Sequence, residues 1–136
     1  MKAKNRNRPD LYQKFQDSLN YEFRDLSLLE EALIHRSYLN ESADKSLVSN
    51  ERLEFLGDAV LEVVVSDLLF ERYPEKSEGW LTKRRSQIVC EPSFSYIASI
   101  FGIGKLILMG KGEEATGGRQ KASILSDAFE AVIGAI

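Results

Sequence analysis

Glu51, Glu54 and Asp58 recur at the spacing E-x-x-E-x-x-x-D. At about 100° per residue, that spacing sets three carboxylates on one narrow helix face. Leu53, Leu56 and Val60 turn to the other side. Same-face carboxylates repel by roughly a few tenths of a kcal/mol per exposed pair, and by more when buried. A hard divalent cation such as Mg²⁺ takes oxygen ligands and relieves that repulsion. The competing reading is an acidic helix face that meets only water. Near the end of the sequence, Asp127 and Glu130 stand three apart and share a second face. If the two faces meet, four or more carboxylates close on one another. Such a cluster either holds its protons to unusually high pH or binds cations.

The elements that must position these groups read as helices. Pro9 suits a first helical turn, and Leu11, Tyr12, Phe15 and Leu19 follow at helical spacing. The residues ahead of it are basic and polar (Lys2, Lys4, Arg6, Arg8) and read as a solvated tail. Ser27 with Glu30 is a capping-box pattern opening a second helix that runs to about His35. His35 is the single histidine, so a histidine metal cluster is excluded and a structural hydrogen bond is expected. Residues 40–49 read as loop. The central helix is expected from Asn50, a candidate cap, to Tyr73 before Pro74, and to be buried along its length. Gly57 inside it costs roughly 1 kcal/mol relative to Ala, which suggests close approach of another backbone or of a partner chain. Glu78 falls in the following turn. Further amphipathic segments begin at Trp80, Glu91 and Ser123, with a glycine-rich loop over residues 110–121. That loop holds no phosphate-cradling G-x-x-x-x-G-K-[ST] string.

The string Asn50-Glu51-Arg52-Leu53-Glu54-Phe55-Leu56-Gly57-Asp58-Ala59-Val60-Leu61 closely resembles the signature of the ribonuclease III family, the endonucleases that cut double-stranded RNA. The likeness runs from about Tyr21 to the end of the sequence. It takes in Ala32-Leu33-Ile34-His35-Arg36-Ser37-Tyr38, Glu78-Gly79-Trp80-Leu81, Gly117-Gly118-Arg119 and Ser123-Ile124-Leu125-Ser126-Asp127-Ala128-Phe129-Glu130-Ala131. The resemblance implies an all-α endonuclease domain, a helical bundle forming a homodimer. It implies that Glu54, Asp58, Asp127 and Glu130 bind metal, that Asp58 and Glu130 are catalytic, and that Glu51 and Glu78 line the cleavage valley as further catalytic acids. Phe55 matches an aromatic that enters a socket on the partner chain; its alternative is an ordinary core position. Expected cofactors are Mg²⁺ or, as a substitute, Mn²⁺, with two ions roughly 4 Å apart activating water and stabilising the leaving oxygen. The expected reaction is hydrolysis of double-stranded RNA to 5′-phosphate and 3′-hydroxyl ends, in rRNA and mRNA processing. Candidate RNA contacts are Lys83, Arg84, Arg85, Arg119 and Lys121, because A-form duplexes are read by shape and backbone.

Composition sets the outer bounds. With 136 residues, 43% hydrophobic and 29% charged, one ordinary globular domain is expected over 1–136. Relative to the family, its C-terminal end is expected to be incomplete, with no double-stranded-RNA-binding domain present. A net charge of −3 argues against coating nucleic acid over the whole surface and leaves room for a local basic rim. Cys90 is the sole cysteine, so no intrachain disulfide can form. No bilayer-spanning run or secretory leader is seen, and a cytoplasmic protein without membrane or small-molecule cofactor is expected. A non-catalytic RNA-binding member of the same fold, marked by loss of acidic residues, is the alternative; an inactive fragment is another. A helical interaction protein with an acidic face is a third.

Overall fold

The computed structural model describes residues 8–136; Lys2, Lys4 and Arg6 of the basic N-terminal stretch lie outside the described residues. α1 (Arg8–Leu19) carries Pro9 in its first turn and buries Tyr12, Phe15 and Gln16, whereas Leu11 stays exposed. The Gln16 Oε1 accepts the Phe23 amide at 2.8 Å and so ties down the connector that follows. α2 (Leu26–Ala32) is capped by Asp25 rather than by Ser27: Asp25 accepts both the amide and the hydroxyl of Ser27. An aspartate there also places negative charge at the helix's positive end.

α2 stops three residues short of the expected end. Leu33 to His35 step into an extended path that pairs with Leu108 in a single parallel bridge. The His35 amide donates to the Leu108 carbonyl at 2.9 Å, and the Leu108 amide donates to the Leu33 carbonyl at 2.7 Å. His35 then caps an unexpected short helix, α3 (Arg36–Glu41), its Nδ1 accepting the Ser37 amide at 3.3 Å. The lone histidine therefore makes the structural hydrogen bond expected of it.

α4 (Glu51–Arg72) and α5 (Glu78–Ile88) follow, the latter capped by Ser77 and starting at Glu78 itself. The Asn50 side chain does not cap α4. It is buried and donates to the Ala32 carbonyl at 3.1 Å, while its amide donates to Ile34 at 2.9 Å. That pair of bonds hangs the start of α4 on the end of α2. α6 (Glu91–Ile100) has Pro92 in its first turn. Gly102, at φ +67°, turns the chain into α7 (Ile103–Leu106). The expected glycine-rich loop contains α8 (Lys111–Ala115) and one 3-10 turn, Gly118–Gln120. α9 (Ala122–Ala135) ends the described chain, and no strand beyond the isolated bridge occurs among the described residues.

The architecture is all-α and organised around α9, which packs chiefly against α4 and α6. Ala128 and Ala131 are fully buried, Val132 almost so, and they meet Leu29, Leu33, Ala98, Ile103 and Ile107 in one core. Small residues on α9 allow that close packing. α4 departs from the expected buried helix. Only Leu53, Gly57 and Leu69 are buried, while Leu56, Val60, Val63, Leu68 and Phe70 are exposed. Phe55 is 81% exposed, which excludes the core position as its explanation. No helix among the described residues is long and apolar enough to cross a membrane.

Candidate metal centre

Two glycines make the site. A Cβ on Gly57 would lie 1.7 Å from the Glu130 carbonyl oxygen, and one on Gly134 would lie 2.2 Å from the Leu53 carbonyl oxygen. α4 and α9 therefore cross in backbone contact, which only glycine at both positions permits. The approach that Gly57 suggested is to a backbone of this same chain. It puts the acidic face of α4 directly against that of α9.

The result is a convergent oxygen cluster. Carboxylate oxygens of Glu54, Asp127 and Glu130 all lie within 4.8 Å of one another, each side chain half-buried. Asp58 lies near enough for its charge to act on the Glu130 carboxyl. Burial and the charges of Asp58, Glu54 and Asp127 push the Glu130 carboxyl up to about 7. Glu54 is also raised, by burial first and then by Asp127, Glu51 and Asp58. Asp127 is raised by burial and by Glu91 and Glu51, against a lowering contribution from His35. An all-carboxylate set, crowded and short of compensating cations, fits a hard divalent ion.

The cluster borders an open cavity of about 910 Å³, whose lining includes Glu51, Glu54 and Asp127. The same cavity is lined by His35, Arg36, Asn40, Asn50 and Lys121. Glu51 is exposed and accepts the Ser49 hydroxyl at 2.7 Å. Glu78 is not brought to this cluster. It sits in the first turn of α5, accepts the Thr82 hydroxyl at 2.6 Å, and lines a separate recess with Glu62, Phe70 and Arg85. Nothing in the local sequence pattern marks Glu91; it opens α6, and its charge reaches Asp127 only because α6 packs on α9.

The basic candidates divide by their contacts. Arg119 donates to the carbonyls of Gly104 at 2.9 Å and Ile107 at 2.8 Å and pairs with Glu114 at 2.8 Å. Arg85 pairs with Glu62 at 3.0 Å and donates to Ser66 at 2.8 Å. Lys121 pairs with Glu113, which that bond holds below the usual carboxylate range. Lys83 and Arg84 are exposed on α5.

Fold and site together define an all-helical domain with a carboxylate centre where two helices cross. The chain belongs to the ribonuclease-III-like family, whose model matches residues 25–136. It is 51% identical over 125 residues to a protein named ribonuclease 3 from Bacillus licheniformis, covering 92% of this chain and 50% of that one. It is 52% identical over 127 residues to ribonuclease 3 of Bacillus cereus, covering 93% of this chain and 52% of the relative. It thus spans about half the length of these curated relatives. Among solved structures it is similar to the nuclease domain of ribonuclease III from Campylobacter jejuni. There the TM-score is 0.83 and the identity 51%, over 90% of this chain and 82% of that chain. A Dicer from Pichia stipitis is similar at a TM-score of 0.58 and 32% identity, over 82% of this chain and 44% of that one.

Proposed function

We propose that this chain is the catalytic domain of a divalent-metal-dependent endoribonuclease that cuts double-stranded RNA, leaving 5′-phosphate and 3′-hydroxyl ends. The observation that carries the proposal is the convergence of Glu54, Asp127 and Glu130, with Asp58 alongside, beside an open cavity. The relatives' names, ribonuclease 3 and ribonuclease III nuclease domain, support the same assignment.

Glu54, Asp127 and Glu130 would hold Mg²⁺, or Mn²⁺ in its place. The bound ion supplies Lewis-acid polarisation of the phosphodiester and makes water a better nucleophile near neutral pH. The chain's own groups prepare that chemistry. Burial first, and then the charge of Asp58, make the Glu130 carboxyl hold its proton more tightly. Asn50, anchored to Ala32, fixes the start of α4 and with it the direction of Glu51 and Glu54. The Gly57–Gly134 crossing sets the separation of the two carboxylate pairs.

The working unit we propose is a homodimer. The nuclease domain of Campylobacter jejuni ribonuclease III has a structurally flexible region involved in dimer formation. In this chain Phe55, Val63 and Phe70 stand exposed on one side of α4, an apolar stripe of the kind that marks an interaction surface. Phe55 is proposed as an anchor in that contact.

The deciding experiment is cleavage of a long double-stranded RNA at low salt, with and without Mg²⁺, with Glu130→Gln alongside. Metal-dependent cutting that the variant loses is the expected result. Metal-independent cutting, or equal rates for both proteins, overturns the proposal; duplex binding without cutting would instead favour a non-catalytic role.

A further inference from the structure

Carboxylates line one side of the cavity, and a polyanionic substrate must approach them against their charge. The cavity has three cationic or partly cationic groups, His35, Arg36 and Lys121. Lys121 is committed to Glu113 and Thr116. The His35 Nδ1 is committed to Ser37, at 2.7 Å from its hydroxyl, and burial depresses the imidazole's affinity for a proton. The Arg36 side chain makes no hydrogen bond or ion pair among the described residues, yet it lines the cavity and is exposed.

Its mount is rigid. The residue before it, His35, is fixed to Leu108 through its amide and to Ser37 through its ring. The residue after it, Ser37, accepts the Gly110 amide on its hydroxyl at 2.9 Å. A Cβ on Gly110 would lie 2.7 Å from the Ser37 carbonyl oxygen, so the 107–110 segment is pressed against this turn. Arg36 thus springs from a stiff backbone at the edge of the cavity that contains Glu51, Glu54 and Asp127, and its charge already acts on Glu113 in the same lining. A planar, permanently charged fork matches the paired oxygens of a carboxylate or a phosphate, and on the duplex-RNA reading the incoming pair is a phosphodiester's.

We propose that Arg36 is a substrate-positioning residue that grips a backbone phosphate of the RNA near the one to be cut. This rests on the duplex-RNA cleavage proposed above. It places a phosphate contact on the first residue of α3, away from the basic residues of α5 and of the 117–121 segment. Arg36 works by offsetting the field of the carboxylates for an incoming anion; it does not touch the reacting atoms.

The test compares the 136-residue wild type with Arg36→Ala and Arg36→Lys. Cleavage of a long duplex RNA in Mg²⁺ yields KM and kcat. Binding of the same RNA in Ca²⁺, over a series of salt concentrations, yields affinity and its salt slope. The expected result is about a tenfold rise in KM for Arg36→Ala with kcat nearly unchanged, and a salt slope shallower by about one. Arg36→Lys, which keeps the charge and loses the fork, should recover the slope and part of the KM. Unchanged melting temperature in both variants is expected, since the side chain supports no neighbour. If the wild type cuts and Arg36→Ala matches it in KM and salt slope, the positioning role is overturned alone. If the wild type neither binds nor cuts duplex RNA, the nuclease assignment and the Arg36 role fall together.

Discussion

Gly57 and Gly134 face each other at the crossing of α4 and α9. A Cβ on Gly57 would come within 2.9 Å of the Gly134 nitrogen, and one on Gly134 within 3.1 Å of the Gly57 nitrogen. Glu54 and Asp58 flank the first glycine in sequence, and Glu130 lies one turn before the second. The contact that lets the helices touch is therefore also what lets the carboxylates converge.

Gly57→Ala tests this. Helix propensity alone would favour alanine by about 1 kcal/mol. The backbone clash of 1.7 Å opposes it, and neither carbonyl nor helix axis can yield cheaply. Overpacking of this kind costs about 1–3 kcal/mol and more when backbone must move, so net destabilisation of about 2 kcal/mol or more is expected. Urea unfolding measures it. Gly79→Ala, where nothing lies within 4 Å, should be neutral or slightly stabilising. Equal midpoints for Gly57→Ala and wild type would show that the helices do not touch.

The proton affinity of Glu130 gives stability a pH dependence. Its carboxyl titrates at about 7 in the fold against 4.5 as an isolated group. A raised acid binds its proton more tightly when folded. The stability this contributes is fully present below about 4.5 and is lost as pH rises through about 7. Glu54 and Asp127, also raised, add in the same direction. Without divalent metal, the urea midpoint should therefore fall between about pH 5 and pH 8. Glu130→Gln should flatten that fall, and added Mg²⁺ should restore stability at about pH 8 by binding the ionised cluster. A midpoint that rises with pH in chelator would contradict the cluster.

The apolar face of α4 predicts an oligomeric state. Phe55, at 81% exposure, would be among the most unfavourable surface positions of an isolated chain. Phe55→Asp should shift the protein to monomer in sedimentation at micromolar concentration while leaving the helical circular dichroism intact. A wild type that is already monomeric at millimolar concentration would remove the assignment of this face.

Much of this was legible in the residues, because it depends on local spacing. The acidic faces of α4 and α9 follow from E-x-x-E-x-x-x-D and D-x-x-E, and the penalty at Gly57 signalled a close approach. What sequence could not supply came from contacts between distant segments. α2 ends early because Leu33 and His35 bond to Leu108, a partner that no local pattern reveals. Asn50 looks like a cap by type, yet its amide group is drawn to Ala32 because the α2–α4 junction is buried. Glu91 enters the field of Asp127 only through the packing of α6 on α9. Glu78 has the residue type of a cluster member but stands on α5, in another recess. The apolar side of α4 reads as core by composition, yet Phe55, Val63 and Phe70 stay exposed in the described chain.

The residue type of Arg119 and its contacts point to different roles. As an arginine after two glycines it is a natural phosphate ligand. In the fold its guanidinium is spread across the Gly104 and Ile107 carbonyls and Glu114. Gly104 and Ile107 are buried, so these carbonyls have little access to water. Leaving buried acceptors unsatisfied costs about 1–3 kcal/mol. Arg119→Ala is therefore expected to lose stability by about that amount, and Arg119→Lys to recover only part, since one ammonium cannot reproduce the fork. Lys83→Ala, on an exposed face of α5, should leave the urea midpoint unchanged. Salt-dependent RNA binding measured on all three variants separates the roles. A stability loss with an unchanged salt slope assigns Arg119 to holding the α7–α9 connection. A shallower slope with full stability would assign it to the phosphate backbone instead.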